Sequence, residues 1–171
     1  MRLHRFALLG MLLLAGCSWP QFSSPLTNFT PYANPNIPKE QFDSLFNAWK
    51  AGQAIPWNVH FRGSQFTTAE LIINSTGTSS LGAQTFTPSH AQLASLIDEM
   101  QASNLFSLYD GHYGAWLSGG GVGGPDITVD VGSATKHVSS DPEVNTTLSW
   151  EAGAIQDVSQ DLIKLADQYV K

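Results

Sequence analysis

The chain of 171 residues has one cysteine, Cys17, so it can form no internal disulfide and no cysteine-built zinc site. Its four histidines beyond residue 16 (His60, His90, His112 and His137) make no helical HExxH pair. No serine sits in a GxSxG elbow, which removes that route to hydrolase chemistry. The glycine-rich stretch from Leu117 to Pro125 lacks the Gly-Lys-Ser/Thr ending of a phosphate loop. A strand-like pattern follows it, where phosphate binding needs the amides of a helix N-terminus. Charge is also scarce: there are 8 basic and 14 acidic residues, and none of either sign from Ser18 to Pro38. The acidic balance argues against nucleic acid as a partner and against electrostatic adhesion to anionic headgroups. No apolar run reaches the roughly 20 residues needed to span a bilayer.

The N-terminus does carry a strong pattern. Arg2 and Arg5 precede the apolar run Phe6 to Leu14, and small residues Ala15 and Gly16 lead into Cys17. This is the charged n-region and short h-region of a secretory signal. Leu14-Ala15-Gly16-Cys17 resembles the lipobox of bacterial lipoproteins. That resemblance implies cleavage between Gly16 and Cys17, a thioether-linked diacylglycerol on Cys17, and a further palmitate-type acyl chain on its new amino group. Each buried methylene contributes about 0.8 kcal/mol, so two or three chains hold a protein on a membrane where one holds it marginally. In a host with two membranes, Ser18, standing where Asp would retain a lipoprotein in the inner membrane, implies by the same resemblance the periplasmic face of the outer membrane. Loss of residues 1–16 removes two basic and no acidic residues, which leaves 155 residues and a net charge of −8.

Pro20, Pro25, Pro31, Pro35 and Pro38 punctuate the uncharged segment 17–38, which reads as a tether favouring polyproline II. Its aromatics are unusual for a solvated linker. Trp19 and Phe22 suit a membrane interface, while Phe29 and Tyr32 suit packing back on the folded part. From residue 39 the spacing of Phe42, Leu45, Phe46 and Trp49 predicts a helix over Lys39 to Lys50, ended by Gly52. Strands are predicted at 57–62, 67–74, 83–86, 126–131 and 135–139, the last two forming a hairpin through Gly132-Ser133. Thr87-Pro88 predicts the start of a second helix that buries Leu93, Leu96, Ile97 and Met100, with Leu105, Phe106 and Leu108 plugging the core after it. A third helix is expected from about Ala154 to Val170, preceded by Gly153. The expected fold is therefore a single α+β domain over 39–171, with one antiparallel sheet of about five strands and helices packed on one face.

Chemistry is sparse in this pattern. His60 and His137 fall on the polar phases of their strands, and His90 falls in a first helical turn, so all three are expected at the surface. Asp110-Gly111-His112-Tyr113 reads first as a turn. Asp110 and His112 are the weak candidates for a metal site, and they need a third ligand such as Asp126 across the glycine loop. No cofactor is indicated. The sequons at Asn28, Asn74 and Asn145 carry no weight beside a bacterial lipobox.

From Trp57 to Tyr169, the order of strands, the helix with Leu93, Leu96 and Ile97, then Tyr113, Pro125-Asp126-x-Thr128-x-Asp130 and Lys136-x-Val138, resembles small bacterial lipoprotein domains of unknown function. That resemblance implies fold and location and no activity. The expectation is a membrane-anchored, non-catalytic binding or structural module. Its contacts would be the bilayer, through acylated Cys17, and an envelope protein partner. The alternatives are an inhibitor or ligand-binding module for a secreted enzyme, acting through a strand edge or the 117–125 loop, and a metal-dependent hydrolase using Asp110, His112 and Asp126.

Overall fold

The computed structural model describes residues 27–33, 36–63, 69–115, 123–142 and 149–170. The lipobox, Cys17 and most of the 117–125 glycine loop lie outside the described residues, as does Asn145. Along the chain the elements are β1 (Thr27–Pro31), α1 (Lys39–Lys50), β2 (Trp57–Arg62), β3 (Leu71–Asn74), β4 (Ser79–Leu81), β5 (Gln84–Phe86), α2 (His90–Ala102), a 3-10 turn (Leu105–Ser107), β6 (Gly111–Ala115), β7 (Asp126–Val131), β8 (Ala134–Ser140) and α3 (Trp150–Asp167).

Period-two alternation gives the sheet two unlike faces. Trp57, Val59 and Phe61 of β2, Leu71 and Ile73 of β3, and Ile127, Val129 and Val131 of β7 are buried, while the residues between them point the other way. The apolar face receives the helices. Phe46 and Trp49 of α1 meet Trp57 edge-on at 5.8 and 5.3 Å, and Phe42 stacks on Phe106 at 4.8 Å. Ile155, Val158 and Leu162 of α3 join the same core, as do Leu93, Ile97 and Met100 of α2.

The sheet is larger than the sequence suggested. The described strands run in the order β1-β6-β8-β7-β2-β3-β4-β5, and all neighbours are antiparallel except β6 and β8, which are parallel. The fold is thus α+β with one mixed sheet of eight strands and three helices, in place of about five antiparallel strands. Three strands escape the sequence pattern for separate reasons. β1 carries Pro31 at its end and pairs only with β6, and an edge position tolerates the missing N–H. β4 has three residues, too few to show alternation. β6 occupies Gly-His-Tyr-Gly-Ala, where two glycines mask strand character and Asp110-Gly111 imitates a turn. Part of the expected tether therefore belongs to the sheet, and Phe29 packs on Tyr113 at 4.9 Å.

Long crossings explain why the helices share a face. The chain passes from edge strand β1 through α1 to the interior strand β2, and from edge strand β5 through α2 to β6. Capping fixes their ends. Ser89, one residue beyond Pro88, is the N-cap of α2, accepting from the Gln92 N–H while Gln92 Oε1 accepts from the Ser89 N–H at 2.9 Å. Helix α3 starts earlier than expected because Ser149 accepts from the Ala152 N–H, which places Gly153 inside the helix. The β7–β8 hairpin turns at Gly132, whose φ of 57° suits glycine.

One inward position on β8 is not apolar. Lys136 is fully buried, with Nζ 2.8 Å from Asp110 Oδ1, donating to Leu108 O at 2.7 Å and to Asn36 Oδ1 at 3.2 Å, 5.8 Å from the centre of the Phe42 ring. Asp110 Oδ2 accepts from the His137 N–H at 3.3 Å. Removing one member of such a pair strands a buried charge and costs about 3–5 kcal/mol, whereas removing both is far milder. Lys136→Met should therefore lower stability by about that amount, and adding Asp110→Asn should recover most of the loss, as read from urea unfolding midpoints. At Gly111 a Cβ would stand 2.3 Å from the Phe29 ring and 2.6 Å from Thr30 O. Gly111→Ala should consequently unpair β1, so that limited proteolysis cuts within 27–31 while the rest of the domain stays folded.

Candidate functional site

Among the described residues no helix covers the second face of the sheet, and the strand register lays polar side chains across it in rows. One row runs Ile72, His60, Thr128, His137 from β3 to β8, and the next runs Arg62, Asp126, Ser139, His112 from β2 to β6. Side chains directly opposite each other lie roughly 5 Å apart at Cβ, close enough for each to meet its cross-strand neighbours.

A polar groove of about 340 Å³ follows these rows, lined by His60, Arg62, Glu70, Asp126, Thr128, Asp130 and His137. Each histidine along this face has a carboxylate. His60 Nδ1 lies 3.2 Å from Glu70 Oε1, whose same oxygen lies 3.4 Å from Arg62 Nε; His137 Nε2 lies 3.0 Å from Asp126 Oδ1; and His112 Nε2 lies 3.2 Å from Asp141 Oδ1. Asp130 Oδ1 accepts from the Thr135 hydroxyl at 2.6 Å. The hydrogen bond with Asp126 raises the pKa of His137 above the ordinary histidine value, and partial burial opposes it.

Tyr32, just past β1, closes one end of this surface. Its ring stacks on His137 at 4.3 Å, its hydroxyl lies 2.7 Å from Ser139 Oγ, and its N–H donates to Asp110 O at 3.0 Å. Ser139 Oγ in turn lies 2.8 Å from His112 Nδ1.

The chain matches no family model, no curated protein and no solved structure.

The three weak metal candidates do not converge. Asp110 is buried against Lys136 on the helix side, while His112 and Asp126 stand on the open face, each with its own partner. Among the described residues no group of three or more His, Cys, Asp or Glu side chains could hold a metal ion. His60 and His137 face outward on the polar phases of their strands, and His90 is exposed at the start of α2, stacked on Trp49 at 4.3 Å. Phe29 and Tyr32 do pack back on the sheet.

Glu70, Ser139 and Asp141 were not singled out from the sequence. The alternation of the strand predicted at 135–139 already puts Ser139 on the face of His137. Its meeting with His112 depends on the parallel register of β6, which no local pattern encodes.

Because the His137 pKa is raised on folding, its pairing with Asp126 adds stability that is fully present below about pH 6.5 and is lost as pH rises through the raised value. His137→Gln should depress the melting temperature more at about pH 5.5 than at about pH 8.5. Equal depressions at the two values would rule this linkage out.

Proposed function

We propose that this chain is an exported lipoprotein, anchored through acylated Cys17 at the periplasmic face of an outer membrane, whose folded domain binds another envelope component across the open face of its sheet. The observation that carries the binding role is the groove over β2, β7 and β8. Helices fill one face of the sheet, while the opposite face presents ionisable side chains in register around Thr128. A surface needed only for solubility has no reason to place three histidine–carboxylate pairs on one side. The anchor rests on Leu14-Ala15-Gly16-Cys17 and the apolar run before it. Acidic net charge leaves the lipid as the membrane contact and the groove free for a partner.

Two measurements separate these claims. Cys17→Ser should move the protein from the detergent phase to the aqueous phase on phase separation, and unchanged partitioning would overturn the anchor. A photo-crosslinking residue at Thr128, in the groove, should capture a partner in cells. The same residue at exposed Gln160 on α3 should not. Equal capture at both positions, or none at Thr128, would overturn the binding face.

A further inference from the structure

We infer that Ser139, His112 and Asp141 form a nucleophilic relay that hydrolyses small acyl esters of hydroxyl-rich alcohols bound in the adjoining groove. This goes beyond the binding role and stands without the lipid anchor. In the neutral form of His112 the hydrogen bonds take one set of directions: the Asp141 carboxylate, 3.2 Å from Nε2, accepts, so Nε2 carries the proton and Nδ1 is bare. Ser139 Oγ, 2.8 Å from Nδ1, must then donate to it, and the Tyr32 hydroxyl at 2.7 Å donates to Ser139. A serine whose proton is aimed at an imidazole oriented by a carboxylate has the parts that activate a nucleophile.

Placement supports a reaction as well as a hydrogen-bonded clasp. Ser139 and Asp141 are more than nine-tenths buried, and the His112 side chain between them is about one-third exposed (35 %), so the relay opens to solvent through the base. Asp126, a groove residue, is the direct cross-strand partner of Ser139, and His137 precedes Ser139 by two on the same face of β8. The groove combines donors (Arg62, His60, His137) with acceptors (Glu70, Asp126, Asp130), a mixture that can also hydrogen-bond clustered hydroxyl groups. Crowding of Ser139 Oγ by Tyr32 and His112 favours an acyl group as small as acetyl.

The step balances with water alone. Ser139 Oγ bonds to the carbonyl carbon as its proton passes to His112 Nδ1. The C–O bond to the alcohol then breaks, and the leaving oxygen takes that proton. Water adds to the acyl carbon, giving a proton to His112, and the bond from Ser139 breaks as Ser139 recovers it. One ester and one water yield one acid and one alcohol.

The test uses the full chain purified in detergent, with a fluorophosphonate probe and a peracetylated sugar. The probe should modify Ser139, located by peptide mass spectrometry, and the sugar should release acetate. Ser139→Ala should abolish both. His112→Gln should slow both by about 100-fold or more, the usual contribution of a general base. A probe that leaves Ser139 unmodified would overturn the relay, as would acetate release that persists in Ser139→Ala. If Ser139→Ala does not fold by near-ultraviolet circular dichroism, His112→Gln decides: labelling at the unaltered rate refutes the relay.

Discussion

The ion pair between Lys136 and Asp110 is the constraint on which the rest of the arrangement depends. A lysine at an inward position of a central strand is tolerable only if its charge is matched and its donors are used. Lys136 meets that demand with Asp110, Leu108 O and Asn36. Those partners come from the segment before α1 and from the segment joining α2 to β6. One side chain therefore ties down the point where the first crossing leaves β1 and the point where the second returns to β6. The same carboxylate accepts from the backbone of His137, so the pair also holds the strand on which the open face is built. Replacing such a pair by apolar residues of equal volume is often neutral or stabilising, so the pair is not needed for stability as such. Its contacts with Asn36, Leu108 and Asp110 belong to the strand register of this fold.

From that register follows the difference between the two faces. Inward residues of β2, β3, β7 and β8 close a core rich in aromatic side chains, and outward residues stand in rows whose chemistry is set by which strand lies beside which. His112 meets Ser139 because β6 runs parallel to β8, and Asp126 meets Ser139 because β7 turns tightly into β8. A slip of one residue in either strand would carry the ionisable groups into the core. The polar face is thus specified as tightly as the apolar one, though it buries far less. Its more exposed pairs, those of Glu70 with His60 and Arg62 and of Asp126 with His137, contribute about 0–1 kcal/mol each to stability and are not what holds the fold.

Much of the fold is legible in the residues because both main periods are strong. The stripe of Phe42, Phe46 and Trp49 marks α1 to the residue, and Ile127, Val129 and Val131 mark β7 with its inward face. Elements that rely on tertiary support are not legible. β6 has two glycines and gains strand character only between β1 and β8, and β1 is an extended segment until β6 pairs with it. Of the site, the outward direction of His60 and His137 can be read from alternation. The association of Glu70, Ser139 and Asp141 with particular histidines cannot, since it comes from strand order. The weak candidates Asp110, His112 and Asp126 do not come together for the same reason: alternate residues of a strand share a face only while the strand continues, and Asp110 lies just outside β6, turned toward Lys136.

The pairing of β1 with β6 has a mechanical consequence for an anchored protein. A segment unpaired as far as Pro38 would put 22 residues, Cys17 to Pro38, between a lipidated cysteine and the fold, whereas pairing from Thr27 onward puts a leash of ten, Cys17 to Leu26, before the first strand. At no more than about 3.6 Å per residue, that leash is at most about 36 Å long. Were Cys17 lipidated as proposed, the domain would be confined to a thin layer beside the membrane, and whatever it meets would have to come within that layer. Peeling β1 from the sheet, at the cost of Phe29 and Tyr32 leaving their partners, would roughly double the leash. Under the proposed anchor, the edge strand would act as a reel whose state sets the radius of search.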